Sequence, residues 1–140
     1  MGTALFALLL LSCGDDRGAG GETPGTTGVT PAAPPTGPLI EQSGSLDPTD
    51  PSDARGRYDR YFVQVGADDR IVVTLTSSAF DPILEVTPPG SGLLTNDDWQ
   101  GDTSRSQIEL ISSNAGEMKI EVRAYTNQGA GAYQLVAQRV

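Results

Sequence analysis

Tyr61-Phe62-Val63-Gln64-Val65-Gly66-Ala67-Asp68-Asp69-Arg70-Ile71-Val72-Val73-Thr74-Leu75-Thr76 decides the fold class. Its apolar residues recur at every second position on both sides of a Gly-Ala-Asp-Asp break, the period of strands with one buried face. Tyr61, Val63 and Val65 are expected inward before the break, and Ile71, Val73 and Leu75 after it. Arg60 and Gln64 are expected outward. Phe62, opposite Tyr61 and Val63, is expected to cover a contact with a second sheet.

Toward the C-terminus the same period returns four times. Strands are expected at 83–87 (Leu84, Val86 inward), 106–111 (Ile108, Leu110), 117–124 (Met118, Ile120, Val122) and 132–138 (Tyr133, Leu135, Ala137). Gly, Pro, Asn and Asp fill the intervals, and no stretch of ten residues has helical periodicity. A weaker strand near Leu39–Leu46 brings the number to about seven or eight. The expectation for 39–140 is therefore an all-β, antiparallel, jelly-roll-like β-sandwich. It lacks the Cys, Trp, Cys framework of an immunoglobulin domain.

Toward the N-terminus the character of the chain changes. Residues 4–11 form an apolar run too short to span a bilayer as a helix and suited to the core of a signal peptide. Leu10-Leu11-Ser12-Cys13 resembles a bacterial lipobox. That resemblance implies cleavage after residue 12, acylation of Cys13, and a lipoprotein held in the cell envelope, periplasmic or surface-exposed. The run lacks the usual basic residue ahead of it, as a start site placed too far downstream would produce. Residues 13–38 are almost entirely Gly, Pro, Thr, Ala and Asp. Such a linker cannot bury enough apolar surface to offset its entropy, and as a random coil it spans roughly 25 to 30 Å.

Composition excludes several chemistries. The chain has 18 acidic and 9 basic residues, a net charge of -9, no histidine and one cysteine. Its field repels nucleic acid. Imidazole-assisted nucleophiles, zinc sites built from His and Cys, and an internal disulfide are all ruled against.

Two acidic groups remain as candidate sites. Asp47, Asp50 and Asp53 recur every three residues in a Pro- and Ser-rich loop, with Asp59 at the following strand start. Carboxylates in loops are calcium donors. They also cap turns by bonding their own backbone two residues on, and that reading carries more weight here. The second group is Asp81, Asp97 and Asp98, with Asp102 nearby, read as structural; Asp98 is a candidate partner for Arg105. A carboxylate-based glycoside hydrolase is the weakest reading, because short loops on a domain of this size leave little cleft for a sugar. Trp99, alone among acidic residues on a loop, is a candidate ligand-binding residue that reads equally as cover for the sandwich edge.

Ser43-Gly44-Ser45-Leu46, Tyr58-Asp59-Arg60-Tyr61-Phe62-Val63, Phe80-Asp81-Pro82-Ile83-Leu84, Asn96-Asp97-Asp98, Ser104 to Ile108, Gly116 to Val122 and Gly131-Ala132-Tyr133-Gln134-Leu135 together resemble the bacterial pre-peptidase C-terminal domain family. This β-sandwich family is related to the collagen-binding domains of clostridial collagenases. The resemblance covers residues 39–138, and order and spacing carry it rather than any one motif. It implies a non-catalytic accessory or binding module facing an extracellular protein or polysaccharide. It also implies that Asp59, in its Asp-x-Tyr start, is the aspartate best placed for calcium. Met118 stands where the family usually has Tyr, and Trp99 where small residues are common.

Overall fold

A computed structural model of the chain describes residues 36–140. The apolar run expected to be a signal-peptide core, Cys13 and nearly all of the expected linker lie outside the described residues. The described part is built from nine strands: β1 (Gly37–Leu46), β2 (Ser52–Asp53), β3 (Gly56–Val65), β4 (Arg70–Thr76), β5 (Pro82–Thr87), β6 (Leu94–Asn96), β7 (Arg105–Ile111), β8 (Gly116–Ala124) and β9 (Gly131–Arg139). They form two antiparallel sheets, a four-stranded one ordered β1-β9-β4-β7 and a five-stranded one ordered β2-β3-β8-β5-β6. With the two-residue β2 set aside, this is the strand exchange of a double-sheet jelly roll.

The deciding stretch is not a hairpin. β3 and β4 belong to opposite sheets, so the Gly66–Asp69 turn carries the chain across the sandwich. Asp68 takes a positive φ of 65° there, and the Asp69 carboxylate accepts the Gly66 N–H (2.7 Å) and the Arg139 Nε–H (2.6 Å). A loop aspartate thereby fastens the crossing to the last strand.

The core lies between the sheets and is made by the alternation itself. Val63, Val65, Ile71, Val73, Leu75, Leu84, Val86, Ile108, Met118, Ile120, Val122, Tyr133, Leu135 and Ala137 are buried in one cluster with Leu46 and Ala124, and Tyr61 and Leu110 pack against it half-buried. β-branched and long aliphatic side chains on facing pleats supply that packing. Two expectations are corrected. β2 and β6 are additional strands, too short to show a period. Phe62 is 54% exposed instead of covering a sheet contact.

Candidate functional site

The loop from β1 to β3 divides the first set of aspartates. Asp47 Oδ1 accepts the Thr49 N–H (2.7 Å) and hydroxyl (2.5 Å), and Asp50 Oδ2 accepts the Asp47 N–H (2.6 Å). The Asp47 bond to the Thr49 N–H is that of an Asx turn, and the Asp50 bond closes the same loop locally. The Thr49 hydroxyl and N–H hold the Asp47 carboxyl below its usual range. Asp53 is turned away: its two oxygens receive the Arg123 guanidinium at 3.0 and 2.8 Å, and Oδ1 also accepts the Arg55 N–H at 2.8 Å. Hydrogen bonds from Arg123 and from the Arg55 backbone lower its carboxyl to about 2.

Asp59 stays beside Asp50 and Asp47. Burial raises its carboxyl above the ordinary value, a hydrogen bond from Tyr133 opposes that, and the charges of Asp50 and Asp47 raise it further. As a four-carboxylate set the aspartates do not fit an ion. Among the described residues no three His, Cys, Asp or Glu side chains are arranged to hold one.

The Tyr133 hydroxyl donates to Asp59 Oδ2 and also contacts the Tyr61 hydroxyl, tying the two sheets together beside that loop. Gly44 makes the arrangement possible. A Cβ at that position would lie 2.4 Å from Tyr133 ring atoms, so only glycine admits the ring.

Asp81, Asp97 and Asp98 do come near one another at the other acidic site. Asp81 is half-buried with Oδ1 lacking a donor, and burial first, then the charges of Asp98 and Asp97, raise its carboxyl. Asp97 and Asp98 are exposed. Asp98 does not pair with Arg105, whose Nη2 instead donates to Gln107 Oε1 at 2.5 Å. Asp102 accepts the Ser104 N–H and hydroxyl. Trp99 is half-buried at a tight turn, with Gln100 and Gly101 at φ 59° and 85°; its N–H donates to the Arg105 carbonyl (2.8 Å) and its carbonyl accepts from Asp102 N (3.1 Å).

The alternation conceals one charged network. Arg123, Glu85 and Glu121, on outward-facing positions of β8 and β5, are 3%, 3% and 4% exposed. Arg123 donates to Asp53, Glu85 (3.2 Å) and Glu121 (3.1 Å); Arg60 and Lys119 also reach Glu121, and Arg55 reaches Glu85 (2.5 Å). The Arg60 and Arg123 guanidinium groups lie 4.8 and 4.7 Å from the Tyr58 ring centre, adding cation–π attraction. The cross-strand pair Arg60 and Glu121 belongs to the strand register. Charge at every second residue, Glu117, Lys119, Glu121 and Arg123, is the signal available in the sequence. It reads there as a solvated face.

Among the described residues an open groove of about 560 Å³ lies at one end of the four-stranded sheet. Ser43 and Gly44 of β1, Ala132 to Gln134 of β9, Thr76 of β4, Ser77, Ser78 and Ser104 line it. The Gln134 amide donates to the Ser43 hydroxyl at 2.7 Å across the strands. The lining offers hydroxyls and an amide without a carboxylate or an ammonium group, which suits an uncharged hydrogen-bonding ligand and supplies no acid–base pair.

No model of a known protein family matches the chain, and no curated protein matches it in sequence. In structure it is similar to the pre-peptidase C-terminal domain of collagenase from Bacillus anthracis, with a TM-score of 0.53 and 14% identity over 71% of this chain and 88% of that one. Residues 36–140 therefore have the β-sandwich fold of a pre-peptidase C-terminal domain.

Proposed function

We propose that this chain is a non-catalytic binding or accessory module, lipid-anchored through Cys13 and presenting its β-sandwich to an extracytoplasmic protein or polysaccharide. The groove on the four-stranded sheet carries the reading: its hydroxyls and amide match the hydrogen-bonding groups of glycans and peptide backbones, and it carries no carboxylate to act on them. The similar solved domain is itself part of a collagenase, which fits an accessory role. The buried carboxylates Glu85 and Glu121 are neutralised by arginines.

A combined glycan and peptide array, probed with the wild-type chain, Ser78→Arg and Trp99→Ala, tests this. Binding lost in Ser78→Arg and kept in Trp99→Ala is expected; loss in the Trp99 variant alone moves the site to that loop. Hydrolysis of an array member that Asp81→Asn or Asp98→Asn abolishes would overturn the non-catalytic reading.

The alternative proposal is a calcium-stabilised structural lipoprotein of the envelope. What supports it is that the charges of Asp50 and Asp47 bear on the half-buried Asp59 carboxyl; a cation held by fewer than three of these carboxylates, with backbone carbonyls completing its shell, would relieve that repulsion. An ion bound at a hundredfold excess over Kd adds about 2.7 kcal/mol, on the order of ten degrees in the unfolding midpoint. Comparing calcium with a chelator decides it.

A further inference from the structure

A β-sandwich has four sheet edges, and an unpaired edge is a row of hydrogen-bonding groups waiting for a strand. Three edges here are blunted. β6 is only three residues long. The β7 edge is laced to the preceding loop, where Asn96 Oδ1 accepts the Gln107 N–H at 3.0 Å and the Arg105 carbonyl accepts from Trp99 N. The β3 edge is covered at Gly56 and Arg57 by β2 and carries the charged Asp59 and Arg60 beyond it.

β1 differs. It pairs with β9 alone, and a register shift between Pro38 and Ile40 disturbs only its start. From 41 to 46 its one charge is Glu41, and it has no lysine or proline to discourage pairing. Apart from its β9 ladder, the one bond to the backbone of this segment among the described residues comes from the Gln42 side chain to the Ser43 carbonyl (2.9 Å). Carboxylates stand at both ends, Glu41 at one and Asp47, Asp50 and Asp59 at the other. Glu41 and Asp47 are six positions apart, about 20 Å along a strand. An acidic chain of net charge -9 disfavours a second copy of itself at this edge and favours a cationic occupant.

We propose that the β1 edge, residues 41–46, accepts an extended segment of a partner polypeptide as an added strand, with basic residues about six apart meeting Glu41 and the Asp47–Asp50–Asp59 carboxylates. Main-chain hydrogen bonds supply affinity and the terminal charges set the register. The edge shares Ser43 and Gly44 with the groove but is read differently, the groove by side chains and this edge by backbone, and Ser78, on the far side of the groove from β1, separates the two.

The test is fluorescence anisotropy of the full chain with the labelled peptide Lys-Thr-Val-Thr-Val-Thr-Lys. A strand added to one edge uses alternate N–H groups only. N-methylation of the second, fourth and sixth residues should therefore act very differently from N-methylation of the third and fifth. One pattern should weaken binding about tenfold or more, and the other should leave it nearly unchanged. Glutamate in place of both lysines should also weaken it about tenfold or more. Ser78→Arg should bind the peptide as wild type does. Any of four results overturns the proposal: no saturable binding, equal effects of the two methylation patterns, equal binding of the glutamate peptide, or a dimer of the chain that the peptide competes away. Loss of binding in Ser78→Arg would also overturn it, by returning the peptide to the groove.

Discussion

Arg123 holds a guanidinium at 3% exposure on the outer side of a sheet, where a charge survives only because three carboxylates and the Tyr58 ring surround it. Arg123→Met leaves Glu85 and Glu121 with fewer cations in a buried setting, so urea denaturation should show a loss of about 3 to 5 kcal/mol. A loss near zero would mean that the network relaxes into water. Asp59 has the opposite character. Its carboxyl is raised by burial and by Asp50 and Asp47, so its charge opposes folding at neutral pH and that penalty disappears as pH falls through its folded value. Asp59→Asn keeps an oxygen for Tyr133 and should raise the unfolding midpoint at pH 7, the gain fading as acid protonates the wild-type carboxyl. A lower midpoint at pH 7 with calcium present would instead identify Asp59 as an ion ligand. The acidic residues themselves were legible in the sequence. Their division was not, because Asp53 leaves its neighbours for a partner 70 positions away.

β2 is two residues long, yet its hairpin brings Asp53 and Arg55 over the outer face of β8 and β5. No periodicity reveals a strand of that length, and so the burial of Glu85, Glu121 and Arg123 was invisible as well. The longer strands were legible because their apolar alternation is set by the core they face; the inward residues of β3, β4, β5, β8 and β9 match expectation. Phe62 misled because an outward aromatic looks like cover when nothing in the sequence says how far the second sheet extends. At β1, Gly44→Ala drives a methyl into the Tyr133 ring and should cost about 1 to 3 kcal/mol, measured by thermal unfolding. The hairpin also sets acid sensitivity. Arg123 lowers Asp53 to about 2; burial raises Glu121, but Lys119, Arg123 and Arg60 outweigh it and leave it below its ordinary range. Groups depressed on folding stabilise the protein above their unfolded values and lose that contribution as pH falls through the folded ones. Stability should therefore fall between about pH 4 and pH 2, and fall less in Arg123→Met.

At the scale of the whole chain, residues 36–140 form a jelly roll with an open β1 edge and an open groove, and the sequence before them resembles a lipoprotein leader. The sandwich was readable from strand spacing; the groove was not, since it forms where β1, β9 and β4 meet residues far apart in sequence. On the anchoring proposal, Cys13→Ser should abolish incorporation of labelled palmitate in a bacterial host and move the protein from the membrane to the soluble fraction. Continued labelling would place the acyl chain elsewhere. On the proposed function, the molecule works by binding through the groove on its four-stranded sheet. Backbone amide chemical shifts of the chain, titrated with the strongest glycan or peptide from the array, test that claim most directly. The largest changes should fall on Ser43, Thr76, Ser77, Ser78, Ser104 and Gln134, and Ser78→Arg should remove them. Changes centred on Trp99 and Asp98 that persist in Ser78→Arg would contradict it.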